Sequence, residues 1–118
     1  MDLLKYEKNY WKKGIKLVAG IDEAGRGPLA GPVVAAAVII DEHFDLNGIN
    51  DSKKIAPNKR VKLYNRIIAD SIDVSIGIAH EKEIDKLNIL NATFLSMRRA
   101  VGNMKSVPEQ LLIDGPVS

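Results

Sequence analysis

Three acidic residues stand where a folded sheet could bring them together. Asp22 and Glu23 follow one apolar run, and Asp114 follows another within residues 111–115 (LLIDG). If the two runs are neighbouring parallel strands, their carboxyl ends meet at one edge of the sheet, where α/β sheets keep their sites. The chain has no cysteine, so a hard cation such as Mg²⁺ or Mn²⁺ is the natural partner of clustered carboxylates. Two such ions about 3.5–4 Å apart serve in-line phosphoryl displacement.

The adjacent pair, Asp22 and Glu23, carries a geometric condition. Consecutive residues of a strand point to opposite faces, so the two carboxylates share a site only if the strand ends between them. The Ala24-Gly25 that follows makes such an end reasonable. A single strand-end aspartate is most often a turn or capping residue, whereas two acidic strand ends in one small domain make a functional interpretation about equally favoured.

A glycine-rich turn, residues 25–30 (GRGPLA), follows the acidic pair. It formally fits the G-x-G-x-x-A dinucleotide fingerprint, but that fingerprint requires a helix starting at the second glycine. Here Pro28 and Pro32 interrupt the segment where that helix would have to form, and the next apolar run is strand-like. Both features disfavour a dinucleotide site. The glycines suit a backbone that approaches a nucleic-acid strand closely, and Arg26 adds a planar, permanently charged donor.

The basic residues are clustered, although the net charge of +2 is too small to indicate nucleic-acid binding alone. One group lies within residues 53–66 and another within residues 98–105. The loop at residues 51–54 (DSKK) could contact phosphate, but on its own a solvated turn is the more favoured interpretation. Arg98 and Arg99 near a helix end favour the helix dipole in any protein.

The elements that must position these groups are readable from the spacing of apolar residues. Residues 1–13 have an amphipathic character that suits a short helix or arm. The run at residues 33–40 is continuously apolar, which predicts a strand buried on both faces. The pattern as a whole predicts strands at residues 16–22, 33–40, 72–79 and 111–114. It also predicts a helix that begins at Pro57, with Val61, Tyr64 and Ile68 on one face. A second helix is predicted over residues 81–102, and its apolar face holds Ile84, Leu87, Leu90, Phe94, Met97 and Val101. This order predicts an α/β layered domain with a mixed sheet.

Four blocks of the sequence, in this order, resemble the ribonuclease HII (type 2 ribonuclease H) family. They are residues 19–34 (AGIDEAGRGPLAGPVV), 50–54 (NDSKK), 88–100 (NILNATFLSMRRA) and 111–115 (LLIDG). The resemblance implies an α/β fold, a ribonuclease H-like mixed sheet flanked by helices and here incomplete. It divides the chain into an N-terminal helix or arm at residues 1–15 and a type 2 ribonuclease H domain at residues 16–118, truncated before its C-terminal part.

The resemblance also implies a function and a set of site residues. It implies a metal-dependent endonuclease that hydrolyses the RNA part of RNA–DNA hybrids and incises duplex DNA at embedded ribonucleotides, with two Mg²⁺ or Mn²⁺ ions. Asp22, Glu23 and Asp114 match three of the family's four metal-binding carboxylates. The segment Gly25-Arg26-Gly27 matches its sensor of the ribose 2′-hydroxyl, the group that distinguishes RNA from DNA. The remaining matched substrate-binding positions are Ser52, Lys53, Lys54, Asn91, Thr93 and Arg98.

The chain departs from the family pattern in its last residues. The fourth carboxylate falls beyond Ser118, and Pro116 stands where many members have Asn. We therefore expect little cleavage by these 118 residues alone. Two alternatives stay open: a non-catalytic nucleic-acid-binding fragment, and a ribonuclease HIII-like enzyme, although that family usually has Gly-Thr-Gly where this chain has Arg26 between glycines.

The location and assembly of the protein are expected from simpler features. No apolar run approaches the roughly 20 residues that span a bilayer, and the first residues have no signal-peptide core. A cytoplasmic location without membrane attachment is the expectation, and the full-length form is expected to be a monomer.

Overall fold

The structure is a computed structural model that describes residues 5–24, 31–44 and 57–113 of the chain. In chain order the elements are α1 (Lys5–Lys12), β1 (Val18–Ala24), β2 (Val33–Ile39), α2 (Pro57–Asp70), β3 (Asp73–Ala79), α3 (Glu81–Gly102) and β4 (Gln110–Ile113). The predicted order of strands and helices is confirmed.

The four strands form one mixed sheet in the order β3-β2-β1-β4. β2 is antiparallel to both β1 and β3, whereas β4 is parallel to β1. The parallel pairing runs from Val18 opposite Gln110 to Ile21 opposite Ile113. The condition that the first and fourth strands be parallel neighbours is therefore met, and their carboxyl ends lie at the same end of the sheet.

The second strand is buried on one face only, so the expectation that both of its faces are buried is wrong. Val33, Ala35, Ala37 and Ile39 are fully buried, whereas Ala36 between them is exposed. The reason is that α3 packs against a single side of the sheet, where Ala35 and Ala37 join Met97 and Ala100 in a common core. A continuously apolar run shows that both faces of a strand can be buried. Whether both are buried depends on the elements that pack against each face of the sheet.

The third strand alternates valine and isoleucine with small or polar residues, a pattern that predicts one buried face; one face is buried, but it is the face with the small residues. Ser75, Gly77 and Ala79 are buried, whereas Ile76 and Ile78 remain 47% and 38% exposed. The small side chains allow the backbone of α3 to approach the strand, and the Ser75 hydroxyl donates to the carbonyl oxygen of Ala100. Close backbone packing has displaced the larger side chains to the other face.

The third helix is bent rather than continuous. Asn88 has φ 69° and ψ 170°, which divides α3 into a first segment of residues 81–87 and a second segment of residues 89–102. The Asn88 Oδ1 accepts a hydrogen bond from the backbone N of Asn91 at 3.0 Å, so Asn88 caps the second segment. Leu87 and Leu90, predicted on the apolar face, are 39% and 45% exposed because the bend interrupts that face.

The second helix begins at Pro57, as predicted, but Ile68 is exposed rather than part of a buried face. Val61 and Tyr64 have side chains outside the described set. Across residues 5–24, 31–44 and 57–113, no helix has the length and hydropathy needed to cross a membrane.

Candidate active site

The acidic pair lies within a strand that continues past it. β1 runs through Ala24, and both Asp22 and Glu23 are paired with β2, opposite Ala36 and Ala35 respectively. The expectation that the strand ends between the two carboxylates is wrong, because β2 supplies backbone partners as far as Val34. The two side chains therefore leave opposite faces of the sheet.

The two carboxylates differ in their surroundings. Asp22 is exposed, and its Oδ1 accepts a hydrogen bond from the backbone N of Glu23 at 2.8 Å. A carboxylate has about four lone-pair directions, so Asp22 keeps acceptor capacity for a cation. Glu23 lies on the face that carries α3, half-buried, with its Oε2 shielded from solvent. Both are hard oxygen donors of the type that Mg²⁺ and Mn²⁺ take.

The third predicted metal ligand, Asp114, lies outside the described residues. The described parallel pairing ends with Ile21 opposite Ile113, and Asp22 and Asp114 are the next residues in the sequence on the two strands. Among the described residues, no group of three or more histidine, aspartate or glutamate side chains could hold a metal ion. The structure thus describes two of the three predicted ligands.

Most predicted substrate-binding residues lie outside the described ranges as well; they are Gly25, Arg26, Gly27, Ser52, Lys53 and Lys54. Of the other three, Asn91 and Arg98 are exposed. Thr93 is fully buried, and its hydroxyl donates to the carbonyl oxygen of Ile89 at 2.8 Å. In this structure Thr93 therefore serves the packing of α3, whereas Asn91 and Arg98 are accessible to a ligand.

The bend of α3 lies at the same end of the sheet as the acidic pair. Ala92, in the first turns after the bend, packs against Val33 and Ala79. Val33 begins β2 and Ala79 ends β3, and the two are paired at that end of the sheet. Since Glu23 is opposite Ala35, two residues along β2, the bend and the carboxylates belong to one region of the fold.

An ion pair that the sequence reasoning missed joins the two segments of α3. The Arg99 guanidinium donates from Nη1 and Nη2 to the two carboxylate oxygens of Glu83, each at 2.7 Å, and Nη1 also donates to the carbonyl oxygen of Ile78 at 2.7 Å. The two bonds from Arg99 to the Glu83 carboxylate, together with one from the backbone N of His80, lower the pKa of Glu83 from 4.5 to about 2. The same pairing raises the pKa of Arg99. The sequence feature that could have drawn attention to Glu83 is its position three residues after His80, which is the spacing of a capping box.

Arg98, next in the chain to Arg99, faces a different part of the molecule. It borders an apolar groove of about 330 Å³ between α3 and β4, which is lined by Ile21, Phe94, Met97, Val101, Gly102, Leu111 and Ile113. The two adjacent arginines therefore have separate roles: Arg99 links elements of the fold, and Arg98 is presented at the surface.

A family profile described as Ribonuclease HII matches residues 19–118. The chain belongs to the ribonuclease HII family. It is 56% identical to the ribonuclease HII of Acetivibrio thermocellus over 114 residues, which are 97% of this chain and 44% of that protein. The corresponding protein of Pediococcus pentosaceus is 54% identical over 92% of this chain and 42% of its own length. The chain thus spans less than half the length of these two ribonuclease HII proteins.

The fold is similar to that of a solved ribonuclease H2 from Pyrococcus horikoshii OT3. The two share a TM-score of 0.72 and 30% identity over 86% of this chain and 51% of that one. Bst-RNase HIII in complex with Mn²⁺ has the same fold at a TM-score of 0.58 and 17% identity, over 90% of this chain and 39% of that one. The ribonuclease H-like α/β fold predicted from the sequence is confirmed, and it is incomplete.

Proposed function

We propose that this chain supplies carboxylates and substrate contacts to an endonuclease that hydrolyses the RNA part of RNA–DNA hybrids and incises duplex DNA at embedded ribonucleotides. The observation that carries the proposal is the parallel pairing of β1 with β4. It brings the strand that holds Asp22 and Glu23 beside the strand that precedes Asp114, within a chain of the ribonuclease HII family.

The metal ligands in this proposal are Asp22, Glu23 and Asp114, with Mg²⁺ or Mn²⁺ as the ion. Their oxygen donors fit such ions, and the solved Bst-RNase HIII contains Mn²⁺. Because Asp22 and Glu23 leave opposite faces of β1, both are assigned to metal binding without the requirement that they hold the same ion. When bound, two such ions supply Lewis acidity for in-line displacement at phosphorus.

Recognition of the substrate is assigned to other residues. Gly25-Arg26-Gly27 would sense the ribose 2′-hydroxyl, and Ser52, Lys53 and Lys54 would contact phosphate. The exposure of Asn91 and Arg98 supports a contact of both with the duplex backbone. We assign Thr93 to the support of Asn91 instead, because its hydroxyl is bonded within α3.

Cleavage by these residues alone is expected to be weak. The chain spans less than half the length of its relatives in Acetivibrio and Pediococcus. In this chain the proposed activity would be seen first as metal binding and duplex binding, with cleavage requiring the remaining part of a ribonuclease HII.

The test combines a metal titration with a cleavage assay. Electron paramagnetic resonance of Mn²⁺ added to the chain would measure binding, and Asp22→Asn should abolish it. Asp41→Asn is the matched control, since the Asp41 Oδ1 accepts a hydrogen bond from the backbone N of His43 in the loop after β2, at the end of the sheet opposite to Asp22. Cleavage would be measured on duplex DNA with a single ribonucleotide, with this chain joined to the C-terminal part of the Acetivibrio enzyme. Absence of cleavage there, or equal cleavage by Asp22→Asn, would refute the proposal, and cleavage of hybrids alone would favour a ribonuclease HIII-like activity.

A further inference from the structure

The bend in α3 is spanned by a bidentate ion pair. Glu83 lies in the first segment and Arg99 in the second, 16 residues apart, and both guanidinium nitrogens contact the carboxylate at 2.7 Å. The additional bond from Arg99 to the carbonyl oxygen of Ile78 reaches the second-last residue of β3. One side chain therefore ties together both segments of the helix and the strand that precedes them.

The bend needs such support. A φ of 69° is disfavoured for a residue with a β-carbon, and Asn88 adopts it in the middle of a helical sequence. Its own side chain contributes the cap on the Asn91 amide. The Asn91 Nδ2 donates to the carbonyl oxygen of Leu87 at 3.1 Å, so Asn91 is bonded to both sides of the bend. Its position depends directly on the angle between the two segments.

The bend also holds apolar side chains in solvent. Leu87, Ile89 and Leu90 are each between 39% and 45% exposed. A straight helix would carry the predicted apolar face through this region, whereas the bent one leaves it uncovered in the part of the chain that the structure describes. The bend therefore adds little to the stability of the chain itself, and it lies at the end of the sheet that carries the carboxylates. Such an arrangement is typical of a functional constraint.

We propose that Glu83 and Arg99 are positioning residues for nucleic-acid binding: their ion pair fixes the bend at Asn88 and so presents Asn91 at the end of the sheet that carries Asp22 and Glu23. That Asn91 contacts the RNA–DNA duplex rests on the proposed function. Neither member of the pair contacts the substrate in this account, and the effect of each passes through the bend.

The first test needs no nucleic acid. Amide hydrogen exchange of the ¹⁵N-labelled chain should show that Glu83→Gln accelerates exchange at residues 88–93 by about tenfold, as expected for loss of a local restraint. Glu83→Asp keeps the charge and should restore most of the protection. Glu109→Gln is the control, because the Glu109 Oε1 accepts a hydrogen bond from the backbone N of Leu17, at the end of β1 that lies opposite to the bend. Unchanged exchange in Glu83→Gln, or equal acceleration in Glu109→Gln, would overturn the proposal.

The second test asks whether the pair acts through Asn91. Binding of a fluorescein-labelled RNA–DNA hybrid would be measured by anisotropy for Glu83→Gln, Asn91→Ala and the double variant. Each single variant should weaken binding about three- to tenfold, and the double variant should be no weaker than Asn91→Ala, because residues in one pathway are not additive. Fully additive losses would contradict a positioning role. If the unaltered chain binds no hybrid, the proposed function fails, while the exchange experiment still decides whether the pair holds the bend.

Discussion

A β-carbon on residue 77 would lie 2.1 Å from the carbonyl oxygen of Ser96. It would also lie 2.2 Å from the backbone N of Ala100. β3 and α3 therefore meet through their backbones at Gly77, and this contact sets the distance between the sheet and its covering helix. Both atoms belong to the helix backbone, so no flexible side chain can move aside to make room.

Gly77→Ala should therefore destabilise the chain strongly. Overpacking of a core costs about 1–3 kcal/mol, and we expect the upper part of this range or more because backbone must shift. Urea unfolding followed by circular dichroism would measure the loss. Gly102→Ala is the matched control, since its added β-carbon would meet no heavy atom within 4 Å apart from its chain neighbours and the backbone of its own helix. Equal unfolding midpoints for the two variants would show that the close approach is absent.

The ion pair of Glu83 predicts an acid-sensitive component of stability. Its pKa is lowered from 4.5 to about 2 in the folded chain, so the ionised carboxylate stabilises the fold above pH 4.5 and this contribution is lost as the pH falls towards 2. The difference in urea midpoint between the unaltered chain and Glu83→Gln should be constant near neutral pH and should shrink across this window. A difference that persists at pH 2 would mean that the carboxylate charge is not the cause.

The positive φ at Asn88 predicts that, at this position, glycine stabilises the chain more than alanine does, which is the reverse of their order in an ordinary helix. In an ordinary helix alanine is more favourable than glycine by about 1 kcal/mol. Both variants lose the cap on Asn91, but at a positive φ glycine has no steric cost, whereas alanine keeps the strain. Asn88→Ala should thus unfold at lower urea concentration than Asn88→Gly. The opposite order would indicate a continuous helix.

The two adjacent arginines should respond differently to substitution. Arg98→Ala should leave the unfolding midpoint nearly unchanged but weaken hybrid binding and reduce the salt dependence of log K by about one, as expected for one phosphate contact. Arg99→Ala should lower the midpoint, because Arg99 is bonded to Glu83 and Ile78. Titrations at several salt concentrations would separate the two effects. Equal behaviour of the variants would refute the division of roles.

The sequence predicts the order of elements because apolar spacing reports it directly, and the four blocks identify the family. Local geometry depends on partners that lie far away in the chain. The strand that holds Asp22 and Glu23 continues because β2 offers it further backbone partners. Ser75 and Gly77 are buried because α3 approaches them, and nothing in the alternation of β3 distinguishes that face from the one with the isoleucines. The ion pair of Glu83 and Arg99 depends on the bend at Asn88, which helical spacing does not reveal.

The inverted third strand also gives a handle for protein engineering. Since α3 covers the face with Ser75 and Gly77, the side chains of Ile76 and Ile78 are exposed on the opposite face of this chain. Their replacement by lysine would leave in place the backbone carbonyls that accept hydrogen bonds from Arg99 and Asn103, and it would remove two large apolar groups from the surface. In this 118-residue chain, the face that looks most like a hydrophobic core in the sequence is the one open to redesign for solubility.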